Sequence, residues 1–185
     1  MNITFIGNCQ AVSLCFYFQQ LVEYNISWVL YGDEFRQHIG NWSNKVNNKI
    51  FNYDEAIETV KKSDIIIYQE IKRDKSLFSN TETLQAIKKE SCRLIKFPSI
   101  YLNYKCYDDS IKELKIREIE NSVDISVSDI FEKFREKNLM ITVNHPNTFL
   151  FIEVVNEICR ILHIDTFSKL KRDIFLADNN YMKLP

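Results

Sequence analysis

Residues 1–22, MNITFIGNCQAVSLCFYFQQLV, decide the fold. Ile3, Phe5 and Ile6 have the pattern of a buried strand, and Gly7 and Asn8 that of a tight turn. From Cys9 the apolar positions Ala11, Val12, Leu14, Cys15, Phe18, Leu21 and Val22 continue as a mostly buried helix. This strand–turn–helix makes Asn8 the N-cap and sets Cys9 in the first helical turn. A helix N-terminus presents unpaired N–H groups and a partial positive charge, which favour a thiolate and bind anions. A cysteine delivered there stands where an α/β enzyme keeps its nucleophile. The competing reading is a small buried residue that closes the turn.

The rest of the chain repeats the alternation. Residues 26–31 (ISWVLY) read as a second strand, ended by Gly32 and Asp33, and residues 34–48 as an irregular excursion containing His38 and Trp42. Asn52 and Glu55 form a capping box that opens a helix. Residues 64–68 (DIIIY) are a continuous β-branched run, expected of a parallel strand buried on both faces, and they deliver Gln69 and Glu70 at its end. Ser79 and Glu82 cap another helix, followed by a strand over residues 92–97 that Pro98 terminates. Residues 99–107 form an aromatic-rich loop, and helices are expected over 109–119 and 128–137. A fifth strand, residues 139–143 (LMITV), runs into Asn144, His145 and Pro146, with Pro146 at the first position of the next helix. Leu150, Phe151, Val154, Val155, Ile158 and Leu162 then make one apolar stripe at helical spacing. Residues 165–185 are less regular.

Five strands alternating with helices predict an α/β three-layer sandwich with a mainly parallel five-stranded sheet, of flavodoxin-like type, in one domain spanning residues 1–185. In such sheets ligands bind outside the C-terminal strand ends. The unusual residues collect there: Gly7, Asn8, Cys9 and Gln10, then Gly32 and Asp33, Gln69 and Glu70, Pro98 and Ser99, and Asn144, His145 and Pro146.

Composition narrows the classes. A net charge of −1 leaves no electrostatic case for nucleic acid or an anionic membrane. No apolar run approaches the roughly 18 residues that span a bilayer, and no basic-plus-apolar signal precedes the first strand, so a soluble cytoplasmic protein is expected. The five cysteines, Cys9, Cys15, Cys92, Cys106 and Cys159, include no CxxC pair, which argues against a zinc site and a disulfide framework. No metal is expected.

A thiol nucleophile needs a base. His163 falls near a helix C-terminus and reads as structural, and His38 in the excursion reads as solvated. His145 follows a strand and precedes a helix, so it opens onto the same edge as Cys9 and is the expected base. The N–H groups of Cys9 and Gln10, with a side-chain amide such as Gln69, are expected to hold an oxyanion. Asp33 and Glu70 are both candidates to orient the imidazole. Other cysteine chemistries fail on spacing: the phosphatase loop C-x5-R meets Cys15 where arginine is required, CxxC is absent, and Gly7 lacks the glycine partners of dinucleotide and P-loop motifs.

Gly7-Asn8-Cys9-Gln10-Ala11 after a first strand, Gln69 after a later one, residues 98–104 in a loop, and Asn144-His145-Pro146 before an amphipathic helix resemble the WcbI-type family of polysaccharide-biosynthesis acetyltransferases. The resemblance covers residues 3–162. It implies an SGNH-hydrolase-like fold, coenzyme A or acetyl-CoA as donor substrate, and O-acetylation of a sugar acceptor in capsular or surface polysaccharide. Against the wider SGNH pattern, Cys9 takes the place of the first-block serine, Gly32 that of the second-block glycine and Gln69 that of the third-block asparagine. His145 takes that of the fifth-block histidine. That block carries aspartate three residues before the histidine, where this chain has Thr142. By the same resemblance, Gly7, Asn8, Gln10, Gly32, Gln69 and Asn144 surround the reacting group. Ser99, Tyr101, Tyr104, Lys105 and Asn147 would receive coenzyme A, with its phosphates at the helix N-terminus and Lys105 and its pantetheine arm along Tyr101 and Tyr104. The alternatives are an esterase or deacetylase of the same fold, and a coenzyme A- or glycan-binding protein without turnover.

Overall fold

A computed structural model describes residues 1–30, 38–41, 53–70, 78, 80–102 and 107–164. Gly32, Asp33, Tyr104, Lys105, Asn52, Ser79, Cys106 and the 165–185 tail therefore lie outside the described residues. Strand β1 (Asn2–Gly7) leads through Asn8 into helix α1 (Cys9–Gln19), and β2 (Asn25–Leu30) returns beside β1 in parallel register, Ile3 opposite Ile26 and Gly7 opposite Leu30. Helix α2 (Tyr53–Lys62) precedes β4 (Ile65–Gln69), which pairs with the other side of β1. Helix α3 (Thr81–Ile87) then leads to β5 (Arg93–Phe97), parallel to β4.

The parallel strands number four among the described residues, not the expected five, in the order β2-β1-β4-β5. Strand β3 (His38–Asn41) adds to the outer side of β2, antiparallel, within the stretch expected to be irregular. The run over 139–143 does not join this sheet. Only Met140–Thr142 are extended, as β6, and they turn back at once to pair with β7 (His145–Pro146) as a separate antiparallel hairpin. Leu139 and Met140 are buried, whereas Ile141 is 62% exposed and Thr142 is exposed, so the segment has one short apolar foothold and no two-faced burial. Pro146, expected to open a helix, is instead buried in that hairpin, and helix α6 (Thr148–Leu162) starts two residues later with Asn147 as its N-cap.

Alternation along the strands sorts the core onto two faces. Ile3, Phe5, Ile65, Ile67, Ile95 and Phe97 pack against Leu14 and Phe18 of α1 and Val155 and Ile158 of α6, together with α4 (Tyr107–Glu120) and α5 (Val127–Lys133). Ile6, Val29, Ile66 and Tyr68 pack on the opposite face against Ala56 and Val60 of α2 and Leu84 of α3. Every residue of β4 is buried, as its unbroken apolar run requires. Glu118 is also buried. Its carboxylate accepts the N–H groups of Val127 (2.7 Å) and Ser128 (3.1 Å), capping α5 from α4.

Numbering only the parallel strands, the order is 2-1-3-4. The connections leaving β1 and β4 therefore run in opposite directions, and the topological switch point lies between those two strands. Gly7 ends β1 and Gln69 ends β4 on either side of it. A Cβ at Gly7 would stand 2.8 Å from Ala11 Cβ and 2.9 Å from Gln69 Oε1, both closer than real carbon contacts allow. Gly7 is thus fixed by close approach of α1 and Gln69. Gly7→Ala is expected to cost about 1–3 kcal/mol in urea denaturation, the usual penalty for overpacking. An unchanged midpoint would show that Gln69 can withdraw.

Candidate active site

At the switch point α1 starts with its cap fully formed. Asn8 is extended (φ −81°, ψ −164°) and its Oδ1 accepts the Gln10 N–H at 2.9 Å. Cys9 follows as the first helical residue, and its side chain is exposed, while Cys15, Cys92 and Cys159 are buried. The strand–turn–helix thus delivers one thiol to solvent. Neighbouring atoms still withdraw enough water from Cys9 to push its pKa up, and this outweighs the downward pull of the Cys9 and Gln10 N–H groups. The helix start alone does not give a standing thiolate. Because the cap takes the Gln10 N–H, Cys9 N–H is the backbone donor of that pair left for an oxyanion.

Gln10, only 2% exposed, turns its amide away from Cys9 and into the protein. Its Nε2 donates to Ile100 O (2.7 Å) and Asn144 O (2.8 Å), and its Oε1 accepts from Ile100 N (3.0 Å) and Gln69 Nε2 (2.7 Å). Gln69, completely buried, closes the set: Nε2 also donates to Pro98 O (3.3 Å), and Oε1 accepts Asn8 N–H (3.2 Å). Backbone partners fix the orientation of both amides, since a backbone N–H can meet only the oxygen and a carbonyl only the nitrogen. Both N–H groups of Gln69 are consumed, so it positions the site and does not supply the oxyanion donor expected of it.

The amide pair gathers two separate segments on α1. Residues 98–100 are held through Pro98 and Ile100, and Leu102 N–H continues the chain of bonds to Val143 O (2.7 Å). The 142–145 turn is held through Asn144 O. On the other side of the turn Tyr17 of α1 bonds Thr148 (3.1 Å) and stacks on Phe151, fixing the start of α6. The turn bearing His145 is thereby tied to the helix that starts with Cys9. Its ring is exposed, and its Nδ1 lies 2.6 Å from Thr142 Oγ1, which in turn donates to Asn144 Oδ1 (3.1 Å). No hydrogen bond joins His145 to Cys9 among the described residues.

The remaining expected residues divide. Ser99 is half-buried between the two residues that the amides grip, and Tyr101 is 50% exposed at the rim, its carbonyl accepting from Arg117 (3.1 Å). Asn147 is taken by the cap of α6, its Oδ1 accepting Leu150 N–H at 2.9 Å and its Nδ2 donating to Asn138 O, so its side chain serves the fold where ligand contact was expected. Glu70 pairs with Lys96 (2.7 Å), which also bonds Asn121 O (2.9 Å), and is committed to holding β5. His163 is the left-handed C-cap of α6 (φ 56°), in agreement with a structural role. His38 belongs to β3. The mutual pairing of Gln10 and Gln69 was missed from sequence; the signal was two amides inside otherwise apolar elements, each requiring a partner.

Two measurements follow. Gln10→Glu keeps the volume but sets a carboxylate against the carbonyls of Ile100 and Asn144; it should lower stability by about 3 kcal/mol or more in urea denaturation. A loss under about 1 kcal/mol would mean the segments are held by other contacts. With its thiol pKa raised, Cys9 should be alkylated by iodoacetamide at a rate that still climbs about tenfold per pH unit beyond about pH 8, followed by peptide mass spectrometry. A plateau near neutrality would reveal a standing thiolate.

With the geometry in view, comparison with known proteins is informative. Residues 103–166, a segment that contains the 142–145 turn and α6, match the family described as polysaccharide biosynthesis enzyme WcbI. No curated protein matches the chain. Among solved structures it is similar to WcbI, described as a novel polysaccharide biosynthesis enzyme and solved as the native protein without a disulfide bond between coenzyme A and one of its cysteines. The TM-score is 0.64 at 15% identity, over 92% of this chain and 71% of that one. At that identity the likeness shows a shared fold.

Proposed function

We propose that the protein is an acyl-CoA-dependent acyltransferase that acetylates a sugar hydroxyl in polysaccharide biosynthesis. The observation that carries the reading is the Gln10–Asn144 bond, which couples the helix bearing the exposed Cys9 thiol to the turn bearing His145. The family match over residues 103–166 and the coenzyme A named with the similar structure support the donor class. The location at a switch point of parallel strands supports a ligand site there.

In this reading His145 is the general base and Cys9 the nucleophile, replacing the serine of SGNH-type hydrolases. Because the Cys9 pKa is raised, the thiol must lose its proton during the reaction and not before it. His145 takes that proton as sulfur attacks the thioester carbonyl. Cys9 N–H stabilises the oxyanion, and the departing coenzyme A thiolate recovers the proton from His145. His145 then removes the acceptor hydroxyl proton, the oxygen attacks the acyl-Cys9 carbonyl, and the Cys9 thiol is restored. The thiol–imidazole contact forms with substrate bound. The exposed Tyr101 ring offers a wall for the pantetheine arm.

Calorimetric titration of coenzyme A and acetyl-CoA into the wild type and Cys9→Ala tests the donor. Micromolar binding to both proteins is expected. Release of free coenzyme A thiol on adding nucleotide sugars should fall by at least about a hundredfold in Cys9→Ala and His145→Ala. Absence of binding by either compound would overturn the reading, and release of acetate from a model ester would then point to a hydrolase.

A further inference from the structure

Position 142 is where the SGNH pattern places an acid, and the residue there is neutral. The hairpin geometry explains how it can nonetheless serve. Strands β6 and β7 are joined by the two-residue turn Val143–Asn144, so Thr142 and His145 are direct cross-strand partners, with side chains on one face. The register slips between Met140 and Thr142, leaving Ile141 as the extra, 62% exposed residue of a bulge. Bulges of this kind re-aim the side chain beside them. The outcome is Thr142 Oγ1 at 2.6 Å from His145 Nδ1.

We infer that Thr142 is the positioning residue for His145, holding it as the Nδ1–H tautomer through a neutral relay from His145 Nδ1–H to Thr142 Oγ1 to Asn144 Oδ1. The direction of the relay follows from proton count. A threonine hydroxyl carries one hydrogen, and Asn144 Oδ1 receives it at 3.1 Å. The oxygen is then left to accept, so Nδ1 must be the donor and Nε2 keeps its lone pair. Asn144 is itself held in place by Gln10 through its carbonyl. No ion pair reaches His145 among the described residues, so the relay sets the tautomer without a neighbouring charge. The consequence for chemistry is a base whose orientation and tautomer are set by neutral groups.

This assignment deepens the acyltransferase reading, resting on His145 as its base, but it is tested without turnover. In 15N NMR of the full chain at a pH where His145 is neutral, the wild type should show mainly the Nδ1–H tautomer. Thr142→Val should lose that preference, changing the tautomer ratio by about fivefold to tenfold. Thr142→Ser should retain it. Unchanged backbone amide spectra would show that each variant is folded, as expected for an exposed strand position. A wild-type Nε2–H tautomer, or a ratio indifferent to Thr142→Val, would overturn the inference. Failure of coenzyme A to bind would leave the tautomer result intact and count only against the acyltransferase reading.

Discussion

The site depends on one buried pair of side-chain amides, Gln10 with Gln69. At a switch point neighbouring strands send their connections in opposite directions, and the backbone beyond the strand ends loses its ladder partners. Here Pro98 O, Ile100 N–H and O, Asn144 O and Asn8 N–H would all meet that gap. Buried backbone groups without partners are costly, and two glutamines supply all of them. The pair works as a piece of sheet made from side chains. Gly7 follows from it, because Gln69 Oε1 occupies the space a side chain would need.

Among the described residues, this edge is organised without a central charge. Glu70 and Lys96 neutralise each other, Asp33 lies outside the described residues, and among those residues His145 meets the Thr142 hydroxyl while backbone N–H groups face the Cys9 thiol. Crowding raises the Cys9 pKa where the helix start alone would lower it. In the proposed mechanism proton transfer, not a resting anion, carries reactivity, which gives the orientation of His145 its weight.

Much of this was legible in the sequence. The β1–turn–α1 unit declared itself through three overlapping signals: a strand pattern, a capping asparagine and a helical apolar face. Strand β4 was legible because only a doubly buried strand tolerates IIIY. Residues 139–143 were misread for a physical reason. A short β-branched run specifies extended backbone but not which edge it pairs with, and a two-residue turn allows it to fold on itself. His38 misled in the opposite way, since a polar edge strand such as β3 needs no apolar pattern. Position 142 was recognisable as a departure from the SGNH pattern, yet only the hairpin register shows that the substitute residue meets the imidazole. The glutamines were recognised as site residues, but their role required three-dimensional partners 29 to 134 positions away.

The amide pair also has an evolutionary consequence. Besides each other, Gln10 and Gln69 grip main-chain atoms of residues 8, 98, 100 and 144. In the 98–102 loop the half-buried Ser99 and the exposed Tyr101 can therefore be exchanged without loosening the frame that holds Cys9 and His145, whereas Pro98, Ile100 and Leu102 are buried and belong to it. In the proposed acyltransferase, point substitution at those two positions would alter recognition while Cys9 and His145 keep their places.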